Sequence, residues 1–368
     1  MSALVAKSIE LIRTAQAESG AYPAACNYPT YDGFCWFRDA SYVAHAMDRH
    51  GELESAARYH AWVTRTLLSE RARIEAAVAD PDHAAGRGAV LRARYPIDGR
   101  ATVDMEWPNF QLDGLGTWLW ARLDHARRGG RPLEGEEAEA AALAARYLGA
   151  LWDQPNFDCW EEAGDRRHPS TWGAIALGLH AYADASGDRN AKAATALIQA
   201  ALASRGTRDG TFTKHEGADA VDANLLGLGV PEAIFGLADP TFQRTLARIE
   251  RELVTGGLHR YRADTFYGGG EWVVLNGFLG WVYACQGRSV EARRCLAWMD
   301  EQANAAGHLP EQVSTNVNDP SMVSVWVERW GPIAQPLLWS HAMYLILADA
   351  LDPAPRDRPQ PAAHARTA

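Results

Sequence analysis

The feature that most constrains this chain is a rhythm: helical stretches separated alternately by plain glycine turns and by long loops crowded with polar and aromatic residues. Apolar residues recur at helical spacing over 3–16, 37–50, 52–74, 110–128, 134–152, 170–186, 188–203, 241–254, 272–286, 289–304 and 336–351, and a short apolar turn lies near 221–228. Many of these stretches end at glycine, as Gly51, Gly129 and Gly187 illustrate. Residues 76–108 carry no sustained period and contain Pro81, Gly86, Gly88, Pro96 and Gly99, so they are expected to form a long connection. Little of the chain alternates in the way a strand requires. About twelve helical segments with alternating long and short links are what a closed ring of six helical hairpins needs. The predicted fold is therefore all-α, a single (α/α)6 barrel over residues 1–352, followed by a Pro/Ala/Arg-rich tail over 353–368 that cannot pack.

Composition narrows the function classes. A net charge of −10, with acids scattered among arginines, argues against nucleic acid or an anionic membrane as partner. The first residues lack a basic segment followed by an apolar run, and no stretch approaches the length of a membrane span. Five cysteines are odd in number and show no C-x-x-C spacing, which points to reduced thiols and a cytoplasmic protein. Fourteen tryptophans are more than such a core needs, and indole faces suit the apolar C–H faces of sugar rings.

The polar and aromatic residues concentrate in four loops. The first holds Trp36-Phe37-Arg38-Asp39, readable as a first-turn charge pair or as donor and acceptor for sugar hydroxyls. The second runs Trp107-Pro108-Asn109-Phe110-Gln111-Leu112-Asp113-Gly114, where Trp107 is either a stacking platform or a staple onto the next helix. In the third, Asp158-Cys159-Trp160-Glu161-Glu162, two adjacent acids sit among Trp152, Phe157 and Trp160. Such a pair is either solvated at a helix boundary or held against an aromatic wall that keeps one carboxyl protonated. The fourth is Leu309-Pro310-Glu311-Gln312, followed by Pro336-Leu337-Leu338-Trp339-Ser340-His341. Two framed carboxyls are the minimum equipment for acid/base cleavage of a glycosidic bond. The histidines form no H-x-x-x-H or H-E-x-x-H pattern, no G-x-S-x-G frames a serine, and no dinucleotide fingerprint is present, so neither a metal nor a cofactor is expected.

Taken in order, Trp36-x-Arg38-Asp39, Trp107-x-x-x-Gln111-x-Asp113-Gly114, Asp158-x-Trp160-Glu161-Glu162, Arg260-Tyr261-x-x-Asp264-x-Phe266-Tyr267-Gly268-Gly269, Leu309-Pro310-Glu311-Gln312 and Pro336-Leu337-x-Trp339-Ser340-His341 resemble glycoside hydrolase family 15, the glucoamylase-like enzymes. The resemblance runs from about Trp36 to His341. It implies an (α/α)6 barrel and an inverting, exo-acting α-glucoside hydrolase with a carbohydrate as its partner. By motif position, Glu161 looks like the general acid and Glu311 like the base, with Glu162 beside the cleavage point. Arg38 and Asp39 would hold hydroxyls, Trp107 would stack and Arg260 would grip the sugar; Trp36, Gln111, Asp113, Trp160 and Trp339 complete the implied binding set. The loop after the acids, Ala163-Gly-Asp-Arg-Arg-His168-Pro-Ser-Thr171, departs from the family in lacking a glycine and aromatic before the threonine. Two other classes are compatible with a helical barrel: a non-catalytic sugar sensor, which would have lost one acid, and a sugar epimerase, which would need paired histidines such as His168 and His341.

Overall fold

The computed structural model describes residues 2–26, 28, 30–87, 90–98, 107–129 and 131–353. Six elements form an inner ring: α2 (Phe37–Arg49), α6 (Asp113–Arg128), α8 (Pro169–Ser186), the 3-10 turn Ala223–Leu228, α11 (Val273–Cys285) and α14 (Leu338–Leu351). Each packs on the next, and α14 packs back on α2, so the ring closes. An outer layer leans on it: α1 (Ala3–Ala15) on α14, α3 (Leu53–Ser69) on α2, α7 (Gly135–Leu151) on α6, α9 (Arg189–Ser204) on α8, α10 (Pro240–Leu253) on the 3-10 turn, and α12 (Ser289–Glu301) on α11. This is the predicted (α/α)6 barrel.

Position in the ring follows from the width of the apolar face. Helix α11, Val-Val-Leu-Asn-Gly-Phe-Leu-Gly-Trp-Val-Tyr-Ala-Cys, is apolar all round and buried over Val273 to Tyr283, as an element enclosed on every side must be. Helix α10 buries only Phe242, Thr245, Leu246, Ile249 and Leu253, a single stripe at i, i+3, i+4, i+7 and i+11. Asp239 caps α10 by accepting from the amides of Thr241 and Phe242. Where α6 crosses α8, side chains are excluded: a Cβ on Gly116 would lie 2.4 Å from the Ala174 carbonyl oxygen, and one on Gly178 2.5 Å from that of Gly116.

Several expectations change. The link over 76–108 is partly helical: the helix expected over 52–74 breaks after Ser69, and α4 (Arg71–Ala79) and α5 (Pro81–Arg87) follow. Pro81 opens α5 because a first-turn residue needs no amide donor, while Ile74 and Ala77 tie α4 to the core. A further helix, α13 (Ser321–Trp330), occupies a stretch with no helix expected; it buries no residue completely, so its pattern carries no core signal. The short apolar turn expected near 221–228 is the 3-10 segment Ala223–Leu228, which fills the fourth inner position. Three short antiparallel ladders were also not expected: β1 (Phe34–Trp36) with β2 (Arg94–Pro96), β3 (Thr207–Arg208) with β4 (Thr211–Phe212), and β5 (Glu271–Trp272) with β6 (Gln312–Val313). The tail expected to be unstructured lies outside the described residues from 354 onward. Among the described residues, no helix is long and apolar enough to cross a membrane.

Candidate active site

The inner elements begin at one end of the ring, and the loops leading into them enclose a cavity of about 610 Å³. Trp36 stands just before α2, Trp272 just before α11 and Trp339 in the first turn of α14; all three line it. Helix N-termini carry partial positive charge, so the arrangement suits a cavity walled by Asp39, Glu161, Glu162 and Glu311.

Glu161 lies in a tight turn built on Asp158. The Asp158 Oδ1 accepts from the backbone amides of Trp160 (3.0 Å) and Glu162 (2.9 Å), and the Glu161 amide donates to the Asp158 carbonyl at 2.9 Å. Glu161 itself has φ 67°, the left-handed region that non-glycine residues rarely occupy and that concentrates at working sites. Its Oε1 accepts three hydrogen bonds, from Trp36 Nε1 (2.7 Å), Trp107 Nε1 (2.8 Å) and Gln111 Nε2 (3.0 Å). The aromatic wall expected from neighbouring residues is therefore made by others. Trp160 lines the cavity but directs its N–H to Asp222 at 3.1 Å, and Trp152 packs on Trp172. The donors that close on the carboxyl thus come from distant parts of the chain rather than from its neighbours in sequence.

Glu162 points into a cationic corner. Its Oε2 accepts from Tyr261 Oη at 2.5 Å and lies 3.6 Å from Lys214 Nζ, while Oε1 lies 3.3 Å from Arg260. Lys214 is buried, which disfavours its charge, but Asp222, Asp158 and Glu162 hold its ammonium above the usual lysine range. Arg260 forks onto Asp264 and sits between the rings of Trp160 and Trp272, 5.1 and 5.2 Å from their centroids.

Glu311 is set differently. Burial pushes its carboxyl up to about 7, with Asp39 and Glu161 adding to the rise while the Tyr31 hydrogen bond and Arg260 oppose it. Tyr31 Oη donates to Oε1 at 3.0 Å, and Oε2 is buried with no hydrogen-bond partner among the described residues. The backbone is pinned: the Glu311 amide donates to the Ala334 carbonyl at 2.9 Å, and Ser340 Oγ to that of Pro310 at 2.7 Å. Arg38 and Asp39 share the same wall, 3.3 Å apart, and burial pushes Asp39 to about 6 despite Arg38, with Glu161 adding to the rise.

The cavity thus collects Trp36, Arg38, Asp39, Trp107, Trp160, Glu161, Glu162, Arg260, Glu311 and Trp339 of the sequence-derived set. Gln111 and Asp113 stand behind its wall, where Arg38 Nη1 donates to Gln111 Oε1 (3.0 Å) and Asp113 Oδ2 (3.1 Å). Trp107 supports Arg94, whose guanidinium lies 3.5 Å over its ring. His168 and His341 are not cavity residues. His168 Nε2 sits against the carbonyls of Asn156 and Ala163, and His341 bonds Ser8 Oγ (2.8 Å) and accepts from the Leu309 amide (2.9 Å). Among the described residues, no histidine pair of the kind an epimerase needs lines the cavity. Sequence reasoning missed Tyr31, Tyr261, Lys214 and the α13 residues Trp326, Arg329 and Trp330, which line or support the cavity. Tyr261 falls inside a quoted motif and was the one legible signal. The described residues contain one group able to hold a metal, Asp48, His60 and His125, away from this cavity.

The family described as Glycosyl hydrolases family 15 matches residues 1–349. An isomaltose glucohydrolase of Kribbella flavida is 40% identical over 357 residues, covering 95% of this chain and 92% of that one. A solved glycosidase in complex with glucose superposes with a TM-score of 0.88 at 39% identity, covering 95% of this chain and 96% of that one. The glucoamylase of Saccharomycopsis fibuligera shares the fold, with a TM-score of 0.68 at 13% identity over 95% of this chain and 96% of that one.

Proposed function

The chain belongs to glycosyl hydrolase family 15, and from that premise we propose that it removes glucose by inversion from the non-reducing end of short α-1,6-linked gluco-oligosaccharides, isomaltose being the simplest. It is an exo-acting, glucose-releasing O-glycosyl hydrolase; the linkage rests on the isomaltose glucohydrolase relative, which matches nearly the whole chain. The observation that carries the mechanism is that Glu161 and Glu311 line one cavity, Glu161 with three donors on Oε1 and Glu311 with Oε2 buried and unpartnered among the described residues.

Three N–H donors on Glu161 Oε1 leave Oε2 as the oxygen to carry a proton. From there it is given to the glycosidic oxygen as the C–O bond breaks. Glu311 Oε2 takes a proton from water, whose oxygen attacks the anomeric carbon from the opposite face and inverts it. Glu162, fixed by Tyr261, Lys214 and Arg260, presents an oriented acceptor to the sugar beside the cleavage point. Arg38 and Asp39 hold hydroxyls of the terminal ring, Asp113 acts through Arg38, and Gln111 braces both Arg38 and Glu161. Trp36, Trp107, Trp160 and Trp339 shape the walls. The retained acids count against a sensing barrel. Residues 1–352 are read as one catalytic domain. A reducing, cytoplasmic setting is supported by the five cysteines, all free thiols.

The test is NMR of the first product anomer on isomaltose, maltose and trehalose. β-Glucose from isomaltose at the highest kcat/KM is expected. An α-glucose product defeats inversion, and a preference for maltose or trehalose defeats the linkage.

A further inference from the structure

At the end of the ring opposite the cavity, three helices bring together side chains that catalysis does not use. Asp48 closes α2 about ten residues below Arg38, roughly 15 Å along the helix. His125 stands near the end of α6, and His60 faces them from α3. We propose that Asp48, His60 and His125 form a structural site for a divalent cation of the zinc class, which clamps α2, α3 and α6 together.

Each of the three offers one ligand atom, and these atoms all lie within 4.8 Å of one another. His125 Nδ1 is 2.8 and 3.0 Å from the two oxygens of Asp48, and the rings of His60 and His125 are 5.1 Å apart. The independent observation is His60: it is 1% exposed, and neither ring nitrogen has a hydrogen-bond partner among the described residues. Leaving both nitrogens of a buried imidazole unmet is costly, and a cation uses the free lone pair.

Charge at the site is compatible with a cation. Arg122 is a nearby positive group; its Nη2 is paired with Glu137 at 2.7 Å, while its Nε and Nη1 are buried without a hydrogen-bond partner among the described residues. Asp124 is taken by Arg128 (2.8 Å) and His45 (3.2 Å). Asp48 is left with His125 as its hydrogen-bonding partner. Two imidazoles and one carboxylate, with water in the fourth position, are a known zinc ligand set, with bonds of about 2.0–2.2 Å. None of the three lines the catalytic cavity, so the cation braces the barrel and takes no part in hydrolysis.

The full-length enzyme, stripped with chelator, should bind one Zn²⁺ per chain by calorimetry. Its thermal midpoint should rise by a few degrees at saturating Zn²⁺. His60→Gln and His125→Gln should each weaken binding at least tenfold, and a folded variant should keep wild-type kcat on a glucoside. Co²⁺ added to the unaltered protein should give the visible absorption of a low-coordinate nitrogen/oxygen site, a readout independent of variant folding. No stoichiometric Zn²⁺ binding to the wild-type chain, or a Co²⁺ spectrum no different from the hydrated ion, overturns the proposal. So does unchanged affinity in both folded variants.

Discussion

The surroundings of Glu161 and Glu311 differ more than their shared cavity requires. Around Glu161 the protein spends polar contacts: two indoles and an amide converge on one oxygen, and a left-handed backbone aims the carboxyl. Around Glu311 it withholds them, leaving one phenol on Oε1, no partner on Oε2 among the described residues, and a carboxyl pushed up to about 7 by burial. A proton donor must be held in line with the glycosidic oxygen. A base must keep an open oxygen for water. The same residue type serves both demands because the wall, rather than the acid, differs.

The largest break of the contrast is loss of either acid. Glu161→Gln and Glu311→Gln are each expected to lower kcat on isomaltose by about 10³-fold or more. α-Glucosyl fluoride, whose leaving group needs no proton, separates them: Glu161→Gln should retain substantial turnover on it and Glu311→Gln should not. The reverse pattern would exchange the two roles. Next comes Trp107→Phe, which removes one of three donors to Glu161; a loss of roughly 10-fold in kcat is expected, the scale of one hydrogen bond to a charged group. A change confined to KM would make Trp107 a platform alone.

Smaller effects sharpen the Glu311 side. Because this carboxyl must be ionised to act, kcat/KM should rise with pH up to about 7. Tyr31 opposes the rise, so Tyr31→Phe should move the acid limb of the profile to higher pH; movement to lower pH would contradict the contact. The gentlest test is Glu271 in β5, whose partner strand β6 starts directly after Glu311. Burial would raise the Glu271 carboxyl, but Thr255, Gly257, Asn316 and Gly256 donate to it and hold it below the usual range. A depressed folded value means stability present above the ordinary glutamate value and lost as pH falls through the folded one. Glu271→Gln should therefore cost about 1–3 kcal/mol at pH 7 by chemical denaturation, and less at pH 3, with kcat little changed. A cost that does not shrink at low pH would mean that packing, rather than charge, is at stake.

How far the sequence was legible depended on range. The stripe Phe242, Leu246, Ile249 and Leu253 marks α10 from its own spacing, and Asp239-Pro240 marks where it starts. Helix α13 was not legible, because no part of it is fully buried and core burial is what imprints a period. In the site, Glu161 and Glu311 were named from short motifs. The assignment of Trp160 as the wall of Glu161 followed from adjacency, and a tight turn defeats adjacency. Tyr31 stands 280 positions from Glu311 and shares no motif with it.

What the sequence by itself determined was local: which core-facing stretches are helical, which are apolar all round and so belong inside, where turns fall, and which residue types could do acid/base chemistry. Helical period and capping act within a few residues, so they survive without knowledge of the rest. Only the tertiary structure decided that Trp36, Trp107 and Gln111 share one oxygen of Glu161, that Glu311 keeps a buried oxygen open, and that Asp48, His60 and His125 meet at the far end. Those contacts depend on ring closure and on loops that reverse the chain, and no spacing along the sequence encodes which distant side chains a closed ring will bring within 3 Å of each other.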